Sequence, residues 1–260
     1  MFFVIKDTHM KIVIVGSGNV ATVLGKKLKK ANYEIVQVLS RTIEHAKKLG
    51  DDLGCAYTSN NEEIYREADL YLLAVTDGVL YGMEKLSPIG TRLVVHTAGS
   101  VPMDVLQNVS LNYGTLYPLQ TLRKEMDDVE DIPLLVNANT AENIHIVEGV
   151  ARSISGKVSV ANDEQRLKLH VAAVVVSNFT NHLYALAEEF CKKENVDFKM
   201  LLPLIKETTN RLDEYSPTDV QTGPAFRNDM FTLDKHIRIL TGYPKLKYVY
   251  LKLTDSIMSR

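Results

Sequence analysis

The chain has 260 residues, 45% apolar and 24% charged, with a formal net charge of −2. This composition belongs to a globular protein with core enough for one or two domains, and it excludes a bulk electrostatic pull toward nucleic acid or a membrane surface. Two distant cysteines, Cys55 and Cys191, give no zinc-type spacing and no metal site, and they fit a reducing, cytoplasmic setting.

In chain order, residues 1–9 read as an N-terminal extension, because the apolar stretch 1–5 is too short for a signal peptide. No later apolar run is long enough to span a bilayer. Residues 11–21, K-I-V-I-V-G-S-G-N-V-A, then place a buried-type strand before a glycine-rich turn and a helix. This is the context a G-x-G-x-x-A dinucleotide fingerprint requires. Gly16 turns the chain, Gly18 admits a pyrophosphate, and Ala21 lets the helix pack on the strand. The helix N-terminus offers free N–H groups to an anion. The bland alternative is a tight strand–helix turn that binds nothing.

Strands over 12–15, 34–39, 55–57, 70–75, 92–96, 114–116, 133–136 and 157–160 alternate with helices over 20–30, 43–52, 61–66, 102–107 and 141–153. That alternation predicts an α/β fold with a parallel, doubly wound Rossmann sheet spanning residues 10–161. Beyond it, one long helix over 163–193, capped by Asp163, and helices over 198–212, 228–240 and 243–256 predict an all-helical second domain, 162–260. Residues 171–176 are apolar nearly all round and should be buried on most faces. A partner subunit is expected to cover them, giving a homodimer through the helical domain. The alternative is cover from the chain's own helices.

The second strand ends L-S-R-T, with no acidic residue for a ribose 2′-hydroxyl. Ser40, Arg41 and Thr42 suit a 2′-phosphate, which favours NADP over NAD. The competing reading has Ser40 capping the next helix and Arg41 solvated. With Gly16, Ser17, Gly18, Asn19 and Val20, the cofactor set is completed by Val75, Thr76 and Asp77, past the carboxyl end of the fourth strand. Asp77 equally suits a helix cap.

His96 and Ser100 bracket H-T-A-G-S at the end of the next strand, where nicotinamide and substrate would meet. His96 is a candidate acid/base or a structural histidine held by a loop carbonyl. Tyr117 and Gln120, in Y-P-L-Q-T, follow the sixth strand as substrate contacts, unless Pro118 simply shapes a turn. On the long helix, His170, Asn178 and Asn181 share one face and can project into an interdomain cleft or bond across helices. The irregular loop 216–229 carries Gln221 and Gly223 as substrate contacts and Arg227 as a carboxylate or phosphate clamp, or serves only as a connection. His96, Asn178 and Arg227 form the catalytic set; Ser100, Tyr117, Gln120, His170, Asn181, Gln221 and Gly223 form the substrate set.

G-S-G-N-V-A (16–21), S-R-T (40–42), A-V-T-D (74–77), H-T-A-G-S (96–100), Y-P-L-Q-T (117–121), S-N-F-T-N-H-L (177–183) and Q-T-G-P-A-x-R-x-D (221–229) together resemble a group of Rossmann-like proteins. Their helical C-terminal part is known as domain of unknown function 2520. More distantly the layout resembles the 6-phosphogluconate dehydrogenase-like superfamily, which includes pyrroline-5-carboxylate reductases and F420-dependent NADP oxidoreductases. The resemblance implies an NADP(H)-dependent oxidoreductase acting on a small polar carbonyl or imine, with an all-helical dimerising domain. β-Hydroxyacid dehydrogenases of that superfamily carry Lys-x-x-x-Asn on the long helix. If Asn178 matches that Asn, Val174 stands where the lysine would be. Standard 3-hydroxyacid oxidation is then not implied: either His96 or His170 supplies the proton, or the chemistry is an imine or cofactor reduction that needs less help. The rival reading is a non-catalytic NADP-binding sensor or scaffold dimer.

Overall fold

A computed structural model describes residues 10–83, 89–125 and 131–259; the extension expected over residues 1–9 lies outside them. The described chain divides into two compact units, one ending at Val175 and the other beginning at Val176.

The first unit is built on an eight-stranded sheet of order β3-β2-β1-β4-β5-β6-β7-β8. Its strands are β1 (Lys11–Val15), β2 (Glu34–Leu39), β3 (Ala56–Thr58), β4 (Leu70–Leu73), β5 (Gly90–His96), β6 (Ser110–Pro118), β7 (Leu134–Ala138) and β8 (Val158–Val160). The helices are α1 (Asn19–Lys30), α2 (Ile43–Leu53), the single turn α3 (Asp77–Leu80), α4 (Ala141–Ile154) and α5 (Asp163–Ala173). Alternate residues of each central strand feed opposite core layers. Ile12 and Ile14 pack on one face with Leu24, Leu49 and Val147. Val13 and Val15 pack on the other with Leu80 and Leu106. Cover on both faces is why these strands read as unbroken apolar runs.

All pairings are parallel except one: β7 runs antiparallel to β6. The parallel, doubly wound sheet expected from the sequence holds apart from this one pair. A parallel return needs a crossover element, and no helix stands between β6 and β7 among the described residues. β6 is also far longer than the three residues expected. Its first half is tied to β5 by side chains, with Ser110 Oγ donating to the Arg92 carbonyl at 2.5 Å and Asn112 Nδ2 to the Thr91 carbonyl at 2.7 Å. Two expected helices are only 3₁₀ turns, Asn61–Glu63 and Met103–Leu106. The first stops where Ile64 turns extended, and in the second Pro102 occupies the N-cap.

The long helix starts at Asp163, as expected, but its cap lies one residue earlier. Asn162, not Asp163, is the N-cap, in a capping box with Gln165. This frees the Asp163 carboxylate for other partners. The helix is also interrupted: α5 passes into a π-helical stretch, Val174–Phe179, before α6 (Thr180–Lys193). Three successive β-branched valines, which an α-helix holds to one rotamer, open that stretch. Residues 171–176 are not enclosed as expected: Val171, Val175 and Val176 are 57, 50 and 72% exposed in the single chain.

The second unit is helical, with α6 joined by α7 (Leu202–Asn210), α8 (Met230–Ile239) and α9 (Pro244–Met258). The helix expected over 198–212 is α-helical only at its centre, with 3₁₀ turns at both ends. Asp229 caps α8 by accepting the Thr232 N–H. Phe190 and Tyr243 meet edge-on at 4.9 Å between ring centres.

Candidate functional site

The turn between β1 and α1 sets the site. Gly16 has φ +114°, and a Cβ on it would lie 2.1 Å from the Ala74 carbonyl oxygen. Only glycine lets the end of β1 close on the end of β4. Gly16 N–H donates to the Leu39 carbonyl at 2.8 Å, and Ser17 and Ser40 hydroxyls meet at 2.7 Å. These bonds fasten the turn to the end of β2. The sheet order reverses direction between β1 and β4, which is where open α/β sheets bind ligands.

A cavity of about 1530 Å³ opens there, larger than the ~300–1,000 Å³ of ordinary small-molecule pockets. Every residue the sequence assigns to the cofactor lines it: Gly16 to Val20, Ser40, Arg41, Thr42, Val75, Thr76 and Asp77. A Cβ on Gly18 would meet nothing within 4 Å. Helix α1 has no side-chain cap and no acidic residue in its first turn, so its N-terminal N–H groups and dipole are available to an anion. A cradle of this shape fits a dinucleotide pyrophosphate.

Ser40 does not cap α2; the N-cap is Thr42, without a side-chain bond. His45, Lys48 and Lys124 also line the cavity, and none was singled out from the sequence. His45 and Lys48 follow Arg41 at i+4 and i+7, a helical spacing that carried the signal. Lys124 arrives from the strand β6 side, where its N–H donates to Asn19 Oδ1 at 3.2 Å, a contact with no local sequence signature.

Beyond β4, Asp77 is the first residue of α3, with Thr76 at the N-cap. Its carboxylate accepts a hydrogen bond from the Ser100 hydroxyl, joining two motifs 23 residues apart. His96 is enclosed, with 0% exposure. Its Nδ1 accepts the Ala98 N–H at 3.2 Å, which braces the H-T-A-G-S turn. Nε2 has no hydrogen-bond partner. Burial first, then the Arg166 guanidinium, hold the imidazole down at about 4, so it is neutral near pH 7.

Arg166 is the residue that sequence reasoning missed. It is 1% exposed and pairs with Asp163 at 2.7 Å. It also donates to the Val101 carbonyl and to Thr115 Oγ1, the latter at 3.3 Å. Asp163 in turn accepts the Met103 N–H at 3.0 Å. The D-x-x-R spacing at the helix start was the only signal. Tyr117, at the end of β6, is brought to His170 on α5, with Oη and Nδ1 2.9 Å apart. Gln120 is exposed just past β6.

In the second unit, Asn178 lies in the π-helical stretch and Asn181 in the first turn of α6, both exposed. Gln221 and Gly223 lie in the loop before α8, Gly223 at φ +113° and Arg227 exposed. Among the described residues no group of His, Cys, Asp and Glu could hold a metal ion, and no helix is long and apolar enough to cross a membrane.

Two family models match. Residues 11–87 match "NADP oxidoreductase coenzyme F420-dependent", and residues 132–257 match domain of unknown function 2520. A Bacteroides fragilis protein described as a "putative NADP oxidoreductase" is 38% identical, with a TM-score of 0.92 over 97% of this chain and 99% of its own. A reductive aminase from Aspergillus terreus, solved with NADPH and ethyl-5-oxohexanoate, has the same fold at 14% identity, with a TM-score of 0.70 over 95% and 93% of the two chains. Glutamyl-tRNA reductase 1 of Pyrobaculum calidifontis is 26% identical over 184 residues, 70% of this chain; the match spans only 43% of that curated relative.

Proposed function

The chain belongs to the Rossmann-type NADP oxidoreductase family that carries domain of unknown function 2520, and on that premise we propose that it is an NADP(H)-dependent reductase of a small polar carbonyl or imine. The observation that carries this reading is the cavity over the β1–α1 turn, walled at one side by Arg41, His45 and Lys48 and at another by Asp77.

The N-terminal N–H groups of α1 bind the pyrophosphate. Ser40, Arg41 and Thr42 bind the 2′-phosphate, and no carboxylate follows β2 to claim a ribose 2′-hydroxyl instead. When bound, the cofactor supplies a hydride. Asp77 and Ser100 orient the group at the far side of the cavity. His96, enclosed and neutral, is a positioning residue that fixes the turn carrying Gly99 and Ser100. Asn178 and Arg227 keep the catalytic roles, and Asn181, Gln221 and Gly223 the substrate-binding roles, that their residue types suit, and the exposed valines of 171–176 form a homodimer face.

Titration of the purified protein with NADPH and NADH, followed by nicotinamide fluorescence and thermal stability, tests the reading. The expected result is binding of both with NADPH clearly tighter. Binding of neither removes the reductase.

A further inference from the structure

Resting on that reductase reading, we propose that Tyr117 and His170 form the acid–base pair that delivers a proton to the substrate's nitrogen or oxygen. Their polar atoms lie 2.9 Å apart, and the rings meet edge-on at 5.8 Å and 75°. Both rings press on Gly99, where a Cβ would lie 2.6 Å from His170 Nδ1 and 2.9 Å from Tyr117 Cζ. Gly99 itself lines the nucleotide cavity. The pair therefore stands directly against a bare segment of the cavity wall, at the turn that also carries Ser100.

The two side chains divide the work by environment. Tyr117 is nearly enclosed, and burial pushes its phenol up, so it stays protonated and able to donate at neutral pH. The charges acting on it are Arg166, which opposes that shift, and Asp77, which adds to it. His170 is only half-buried, so its ring keeps an exchange route to water while Nδ1 faces the phenol. An imidazole has two ring nitrogens, one able to take a proton from water while the other gives one up, which suits it to refill a donor. His96 cannot take that part, since it is fully enclosed and neutral, with no exchange route to water.

The step balances as follows. The substrate's C=N or C=O carbon gains a hydride, and the π pair moves onto the heteroatom. The heteroatom takes the proton from Tyr117 Oη, whose O–H bond breaks. The phenolate oxygen takes the His170 Nδ1 proton while Nε2 takes one from water, so the imidazole ends neutral and the hydroxide leaves to solvent.

A fixed iminium needs no such proton, and that difference tests the pair. With NADPH-loaded protein at mildly alkaline pH, Tyr117→Phe is expected to lower reduction of 1-pyrroline on the order of 100-fold and that of N-methyl-1-pyrrolinium far less. Equal loss with both probes marks a structural role and overturns the proposal. Independently of turnover, ¹⁵N spectra of histidine-labelled protein should show the His170 Nδ1 resonance move in Tyr117→Phe, because that substitution removes its 2.9 Å partner. An Nδ1 resonance that does not move overturns the pair even if NADPH binds. Failure to bind NADPH removes the reductase reading instead, and the spectra of the unloaded protein still judge the pair.

Discussion

Asp163 is linked through one carboxylate to both the Arg166 guanidinium, at 2.7 Å, and the Met103 backbone N–H, at 3.0 Å. It can do so because Asn162 takes over the capping of α5. Arg166 in turn reaches β6 at Thr115 and the turn after β5 at Val101. Start of helix, strand and loop are thus held by one pair of side chains.

Breaking that pair from the enclosed side should be costly. Arg166→Met leaves the Asp163 charge and the Val101 carbonyl without their partner. The expected loss in urea denaturation is about 3 kcal/mol, toward the lower end for buried pairs because Asp163 is 34% exposed. Arg166→Met combined with Asp163→Asn should recover part of it. A loss below ~1 kcal/mol, the level of exposed ion pairs, would contradict this account.

His96 makes stability depend on pH below neutrality. Its folded value is about 4 against an ordinary 6.5. Above 6.5 both states are neutral there and His96 adds no pH dependence. Between 6.5 and 4 the unfolded chain binds the proton and the folded one does not, so stability falls as pH falls. The total reaches about 3 kcal/mol once pH has passed below the folded value. In His96→Gln that part of the slope should vanish, as read by thermal denaturation from pH 7 to 4.

The 2′-phosphate assignment separates two cofactors. Arg41→Ala removes a charge-assisted contact worth about 1.5–3 kcal/mol, so NADPH should bind roughly 10- to 100-fold more weakly while NADH is unchanged. Parallel loss for both nucleotides would place Arg41 elsewhere.

Two glycines should respond in opposite ways to one methyl group. Gly18→Ala meets open space, so stability should stay within about 0.5 kcal/mol while NADPH affinity drops. Gly99→Ala drives a Cβ into His170 and Tyr117 and should cost about 1–3 kcal/mol. Thermal unfolding together with NADPH titration reads both.

Local physics made the Rossmann half and the turn legible. Strands buried on both faces must be apolar without interruption, and a chain that leaves β1 so close to the end of β4 that a Cβ would lie 2.1 Å from the Ala74 carbonyl oxygen needs glycine at position 16. The cavity-lining residues followed, because each lies just past a strand end and the parallel order sends those ends to one edge. Helical content beyond residue 162 was legible from periodicity for the same reason.

What depended on distant partners was not written locally. The antiparallel β7 follows from how the chain returns after β6, and the exposure of Val175 and Val176 follows from what covers a surface rather than from its composition. His96 looked like a proton carrier by type and position, yet an Arg166 placed beside it from 70 residues away, together with full enclosure, leaves it neutral. The Tyr117–His170 contact joins residues 53 apart. A side chain's chemistry is set by its neighbours and by water, and only the tertiary structure chooses those; the sequence by itself determined the alternation of strand and helix, the sheet edge and the glycine turn after β1.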